Sequence, residues 1–142
     1  MKNNVAIDCR MINSSGIGTY IRTIVPNILD SMNNYYFHII INKEINFLMK
    51  YKNVFIIKVH AKPYSIREQI EIRKKIPKNL CLYWSPHYIN PLFLNTNYLL
   101  TIHDLYHLNK TKNILKRIYS FLYFSHIKFY NYNIIAVSNF TK

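Results

Sequence analysis

Glycine is almost absent from this chain: its 142 residues include only Gly16 and Gly18. Acidic side chains are nearly as scarce, six against 19 lysines and arginines, for a formal net charge of +13. The two cysteines, Cys9 and Cys81, have no zinc-site spacing, and no secretion signal accompanies them to favour a disulfide. Each borders an apolar run, which suits a thiol packed as a small hydrophobe. No apolar stretch is long and unbroken enough to span a membrane; "ILKRIYSFLYF" is interrupted by Lys116 and Arg117. The start, "MKNNVAIDC", lacks the apolar core and small-residue cleavage site of a signal peptide. Repeats, low-complexity blocks and linkers are missing too. One domain over residues 1–142 is expected, in the cytoplasm, soluble or peripheral at the inner face of the cell membrane.

Half of the residues are hydrophobic, which excludes a disordered chain. The positive excess is less specific. It would attract nucleic acid, anionic lipid or phosphorylated ligands, and the same excess follows from the Lys-, Asn-, Ile- and Tyr-rich usage of an A- and T-rich genome. Both origins stay open.

Short β-branched or aromatic runs occupy residues 4–8, 36–41, 53–58, 80–84, 97–102 and 133–137. Several are apolar throughout, as strands buried on both faces are. Helical periodicity lies between them, at 17–32 (Ile17, Ile21, Ile24, Ile28, Leu29) and near 43–50, 65–76 and 112–130. Strand and helix in alternation predict an α/β protein with a parallel sheet of about six strands flanked by helices. Pro26 should kink or reset the first helix near Val25. Pro63, Pro77, Pro86 and Pro91 fall in connections. The last residues, "AVSNFTK", give a strand, then Ser138 as an N-cap, then a helix start; the expectation is the front part of something longer.

Ligands of parallel α/β sheets gather outside the carboxyl ends of the strands. Sorted by that rule, Ser14, Ser15, Gly16, Gly18 and Tyr20 follow strand one, and Ser85, His87 and Tyr88 follow strand four. His103 and Asp104 follow strand five, and Ser138, Asn139, Thr141 and Lys142 follow strand six. A glycine at a helix start lets a phosphate or hydroxyl approach the backbone N–H groups; the alternative is a tight turn with no ligand. A dinucleotide fingerprint needs a small residue where Ile21 stands and an acid where Ile41 and Asn42 stand, so NAD is unsupported, and a P-loop lysine is missing. His103 and Asp104 suit a polyol, with His103 able to hold or pass a proton. Equally, Asp104 caps a turn and His103 is a satisfied imidazole. His103 and His107 imitate zinc-protease spacing only faintly, with Asp where Glu belongs, and no metal is expected.

The stretches "YSIREQIEIRKKIPK" and "ILKRIYSFLYFSHIKFY" are basic and aromatic. Ile114, Leu115, Ile118, Phe121 and Leu122 make a core-facing stripe, which favours a sheet-covering helix with solvated lysines. The sharper alternative rests Tyr119, Tyr123, Lys116 and Lys128 on anionic lipid. Aromatics placed mostly in strands and stripes argue against a nucleic-acid surface, and no nucleic acid partner is expected.

Together, "AIDCRMINSSGIGTYIRTIVPNIL", "YSIREQI", "LYWSPHYINPL", "LLTIHDLYHL" and "IIAVSNFTK" resemble, in order and spacing, the N-terminal half of family-4 retaining glycosyltransferases of the GT-B architecture. The likeness is nearest to bacterial mannosyltransferase-like enzymes of cell-surface polysaccharide assembly and runs over essentially the whole chain. The resemblance implies a Rossmann-like, acceptor-side domain of an enzyme that moves a hexose such as mannose from a nucleotide sugar to a saccharide or lipid-linked acceptor. It implies no cofactor beyond the nucleotide-sugar substrate. On matching positions, His103 contacts the donor sugar and Asp104 supports its loop. Gly16 and Gly18 face the cleft near the donor diphosphate, and His87 and Tyr20 line the acceptor side. Ser138 and Lys142 lie where the chain turns toward the second domain. The paired glutamates of the family's E-x7-E motif and its diphosphate-binding basic residues belong to the C-terminal domain, and this chain has no such motif; Glu68 and Glu71 do not substitute. The expected partner is therefore that domain, and the fragment alone is expected to be inactive. The competing reading is a non-catalytic binding module or a decayed gene product of the same fold.

Overall fold

The central apolar runs become strands because their β-branched and aromatic side chains fill both faces of a pleated sheet, while the outer runs at 54–58 and 133–136 leave several apolar side chains exposed. The computed structural model describes residues 3–62, 65–87, 90–92, 94–103, 121, 125–130 and 132–137. The strands are β1 (Asn3–Asp8), β2 (Tyr35–Ile41), β3 (Val54–Lys58), β4 (Leu80–Ser85), β5 (Asn97–Ile102) and β6 (Asn133–Ala136). All neighbours pair in parallel in the order β3-β2-β1-β4-β5-β6. The expected α/β, Rossmann-like sheet is present, and its strand order reverses between β1 and β4, where doubly wound sheets open a crevice.

Alternation along the strands divides the core. Val5 and Ile7 of β1, Phe37, Ile39 and Ile41 of β2 and Trp84 of β4 pack with Ile21, Val25 and Leu29 of helix α1 (Ser15–Ser31). Ala6, Ile40 and Tyr83, one step out of phase, pack with Ile72 of helix α2 (Ile66–Lys75). Helix α1 thus packs on one face and α2 on the other, and Ile127 of the helical residues 125–129 packs on Leu100 of β5. Cys9 is buried and Cys81 half-buried, both as free thiols. The Cys81 thiol donates to the Asn4 carbonyl at 3.1 Å. Among the described residues no helix is long and apolar enough to cross a membrane.

Several boundaries differ from the sequence reading. Helix α1 begins at Ser15, so both glycines lie in its first turn rather than in a preceding loop; Ser14 takes the extended N-cap conformation and its carbonyl receives the Gly18 N–H at 3.0 Å. The helix runs on through Pro26 to Ser31 instead of resetting near Val25, with Val25 and Leu29 fully buried on either side. Packing of that stripe outweighs the one backbone donor that proline removes. The pattern at 43–50 condenses to a 3-10 turn, Asn46–Lys50. Of the expected helix at 112–130, residues 121 and 125–129 are helical and the rest lie outside the described residues.

The two glycines have different reasons to exist. A Cβ on buried Gly18 would run into the backbone carbonyl of Ile12, whereas one on Gly16 would meet nothing within 4 Å. Gly18→Ala is therefore expected to destabilise the protein by about 1–3 kcal/mol through overpacking. Gly16→Ala is expected to leave stability unchanged or raise it by up to about 1 kcal/mol through helix propensity. Urea unfolding of the two variants checks the contrast, and equal losses would remove it.

Candidate functional site

The site grows from what each strand releases at the carboxyl edge. After Asp8, the chain turns through residues 9–14, with Ile12 N–H donating to Cys9 O at 3.1 Å and Ser14 N–H to Met11 O at 2.9 Å. It then enters α1, whose first turn has neither a side-chain cap nor an acidic residue. The partial positive charge of those N–H groups stays uncovered by the described side chains, next to the open space at Gly16.

One turn further, half-buried Tyr20 reaches across the crevice. Its ring meets His103 edge-on at 5.1 Å between centroids and Trp84 at 6.4 Å. Trp84 is fixed by donating its Nε1–H to Thr101 Oγ1 at 3.2 Å. His103 Nε2 lies 2.9 Å from the carbonyl oxygen of Pro86. A carbonyl only accepts, so Nε2 carries the proton, and in the neutral ring Nδ1 is the acceptor. That arrangement suits a hydroxyl donor at Nδ1, and protonation would turn the same atom into a donor. Gly16, Tyr20 and His103 are thus brought to one edge of the sheet.

His87 sits deeper than a wall residue would. It is 3% exposed, with Nε2 3.7 Å from Asp8 Oδ2, inside a cluster of charges that the sequence reading missed. Arg10, 5% exposed, holds fully buried Asp8 in a fork, from Nε to Oδ1 at 2.8 Å and from Nη2 to Oδ2 at 2.6 Å. Its Nη1 stands 2.5 Å from Oε1 of Glu68 on α2, also fully buried. Tyr83 donates its hydroxyl to Asp8 Oδ2 at 3.2 Å. Burial by itself would push the Asp8 carboxyl up, but the Arg10 guanidinium and the hydrogen bonds of Arg10 and His87 hold it well below the usual carboxylate range. Burial likewise drives the Cys9 thiol well up, aided by the Asp8 charge. A signal existed: two of only six acids stand at 8 and 68, and Asp8 directly follows the apolar run Val5-Ala6-Ile7 at the buried end of its strand, where an ion is tolerated only when paired.

Asp104, Ser138 and Lys142 lie outside the described residues. Among the described residues no group of three or more His, Cys, Asp or Glu side chains is placed to hold a metal ion. An open groove of about 580 Å³ lies on the β2–β3 side, lined by Ile41, Ile45, Ile56 and Ile57 with the Glu44–Lys58 pair at 3.0 Å. Its charged lining residues are already paired, Lys58 with Glu44 and Lys75 with Glu71 and the Lys58 carbonyl, which leaves the space between β1, β4 and β5 as the candidate site.

Fold and site together define a doubly wound, Rossmann-like protein with an uncapped helix start and an oriented histidine at its switch point. No family model, curated protein or solved structure matches the chain.

The charge cluster makes stability depend on acid in a defined direction. Asp8 has a folded pKa below its unfolded value, near 3.9. Its contribution is therefore present above that pH and lost as pH falls through the folded value. Glu71, drawn to about 2 by the hydrogen bond from Lys75 and by the backbone N–H groups of His60 and Ala61, adds in the same window. Unfolding free energy is expected to drop below about pH 4, and the drop should be shallower in Asp8→Asn, which starts about 3 kcal/mol lower because Arg10 loses one of its two charged partners and keeps only Glu68. Urea titrations at neutral pH and at several acid values check this; a slope unchanged in Asp8→Asn would overturn it.

Proposed function

We propose that this chain is the acceptor-side, Rossmann-like domain of a retaining glycosyltransferase. In the complete enzyme a hexose such as mannose passes from a nucleotide sugar to a saccharide or lipid-linked acceptor of cell-surface polysaccharide, at the cytoplasmic face of the membrane. The observation that carries this reading is the convergence at the strand-order reversal. There the uncovered helix start at Gly16 faces the edge that holds the Tyr20–His103 pair, 5.1 Å between ring centroids, with His103 oriented by Pro86. A helix start receives a diphosphate or a sugar hydroxyl, aromatic rings pack on the apolar face of a pyranose, and an imidazole with one nitrogen tied exchanges a hydrogen bond with a hydroxyl through the other. The excess of 13 positive charges supports approach to nucleotide sugars and to anionic lipid.

Chemically, such a wall orients and the departing diphosphate needs more. Its charge must be met by preorganised positive groups, and Arg10 is already engaged by two carboxylates. The reading therefore includes a second domain that brings the basic residues and the E-x7-E glutamates, with this chain supplying contacts to acceptor and donor sugar.

Two substitutions test it. In the gene product that carries this chain, His103→Ala is expected to lower hexose transfer by about 10²-fold or more, the usual scale for a lost preorganised polar group, with circular dichroism unchanged. Gly16→Ala, which the fold tolerates, should weaken nucleotide-sugar or acceptor binding by about tenfold, roughly 1.4 kcal/mol, because its methyl fills the space through which a ligand approaches. Transfer at the wild-type rate in both variants would end the proposal.

A further inference from the structure

Of the segment "YSIREQI" at the start of α2, only Glu68 belongs to the site described so far, through its pair with Arg10. Ser65 caps the helix by accepting the Glu68 N–H on its Oγ at 3.1 Å and donates its hydroxyl to Lys62 O at 2.7 Å. Glu68 and Gln69, adjacent in the first turn, then reach two different connections. Glu68 meets Arg10 Nη1 at 2.5 Å, in the connection that leaves β1. Gln69 Oε1 accepts the Leu92 N–H at 2.8 Å and its Nε2 donates to Asn90 O at 3.4 Å, in the connection that leaves β4. These two strands are the neighbours at which the order reverses.

The residue types fit the task. A carboxylate takes the remaining arm of a guanidinium whose other nitrogens hold Asp8. An amide offers an acceptor and a donor from one side chain, which is what a backbone N–H at Leu92 and a carbonyl at Asn90 require on either side of Pro91, a residue with no N–H of its own. The Pro91 carbonyl is in turn held by the Tyr98 hydroxyl at 2.7 Å. The backbone of 90–92 is therefore tied by side chains of α2 and β5 rather than by a ladder.

We propose that Glu68 and Gln69 are positioning residues: α2 is a brace that fixes the separation of the β1 and β4 connections, and so sets where the amino end of α1 stands relative to His103. The purpose of the brace rests on the reading of that edge as a ligand crevice, but the bracing is a property of the unliganded chain and is tested there. Because the chain has two glycines and one tryptophan, ¹⁵N labelling of glycine and tryptophan alone reports the first turn of α1 and, as the internal control, the Trp84 indole, which is tied to Thr101 within the sheet. In Glu68→Gln the Gly16 and Gly18 amide signals are expected to shift or broaden with the Trp84 indole unmoved; unmoved glycines in a folded variant overturn the Glu68 half.

Gln69, half-buried, is the safer substitution. Its removal in Gln69→Ala should speed exchange of the Leu92 amide by about five- to tenfold, the factor for one lost hydrogen bond. Gln69→Glu, which keeps the acceptor, should restore protection. Unchanged Leu92 exchange in Gln69→Ala, or failure of Gln69→Glu to rescue it, overturns the proposal, and this pair decides alone if Glu68→Gln does not fold. A brace that behaves as expected in a chain that binds no nucleotide sugar or glycan counts against the proposed function only. A brace that fails in a chain that binds them counts against the brace only.

Discussion

A guanidinium shut away from water between two carboxylates is the constraint on which this architecture turns. Arg10 leaves the end of β1, folds back on Asp8 two residues earlier and meets Glu68 from the helix on the far side of the connection. Such clusters add little net stability, since desolvation of three ions consumes most of the Coulombic gain and an apolar core of the same volume does as well. Their value is directional. The planar fork of arginine accepts carboxylates only along fixed lines, so the chain after β1 has one way to leave the sheet. Apolar residues at positions 8, 10 and 68 together would pack as well but would not impose that direction.

From that fixed exit the rest follows in steps. Residues 9–14 turn tightly enough to bring the Ile12 carbonyl against α1, where Gly18 alone allows the approach and Arg22 donates to the same oxygen at 2.5 Å. The helix therefore starts close to the sheet, and Tyr20, one turn in, reaches Trp84 and His103. Helix α2 works alongside. Besides Glu68 and Gln69, its Glu71 accepts the N–H groups of His60 and Ala61 at 3.0 and 2.8 Å, so the connection after β3 is held by the same helix. Three connections on one edge are thus fastened by acidic or amide side chains of one short helix, in a chain that has few acids to deploy.

What the sequence disclosed and what it hid follow from range. Strand runs and the α1 stripe are local patterns, so sheet class and strand count were legible, and sorting residues by strand end brought Gly16, Tyr20 and His103 to one edge. The charge cluster joins residues 8, 10, 68, 83 and 87, and no local period links them. Glu68, read only as a helix residue that could not replace a C-terminal glutamate, turned out to be fully buried against Arg10. The two glycines could not be told apart for a related reason: in the sequence both suit a ligand-facing turn, with a ligand-free turn as the alternative, and only the tertiary structure shows backbone against Gly18 and open space at Gly16. Which of two neighbouring glycines serves packing depends on where residue 12 comes to lie, a tertiary fact.

On the proposed glycosyltransferase reading, the same geometry accounts for this edge serving as half of a site. Its polar groups are suited to neutral or weakly directional contacts: an uncapped helix start, one imidazole with a single acceptor, an aromatic face. Stabilising a departing diphosphate takes cations held in a dry, preorganised place, and freeing Arg10 for that purpose would strand two carboxylates in the core, at several kcal/mol for each uncompensated charge. The cluster that fixes the wall thus makes its own cation unusable for catalysis. On the reading proposed above, a wall built this way would orient a sugar or an acceptor and leave the charge to residues approaching from the opposite side of the crevice.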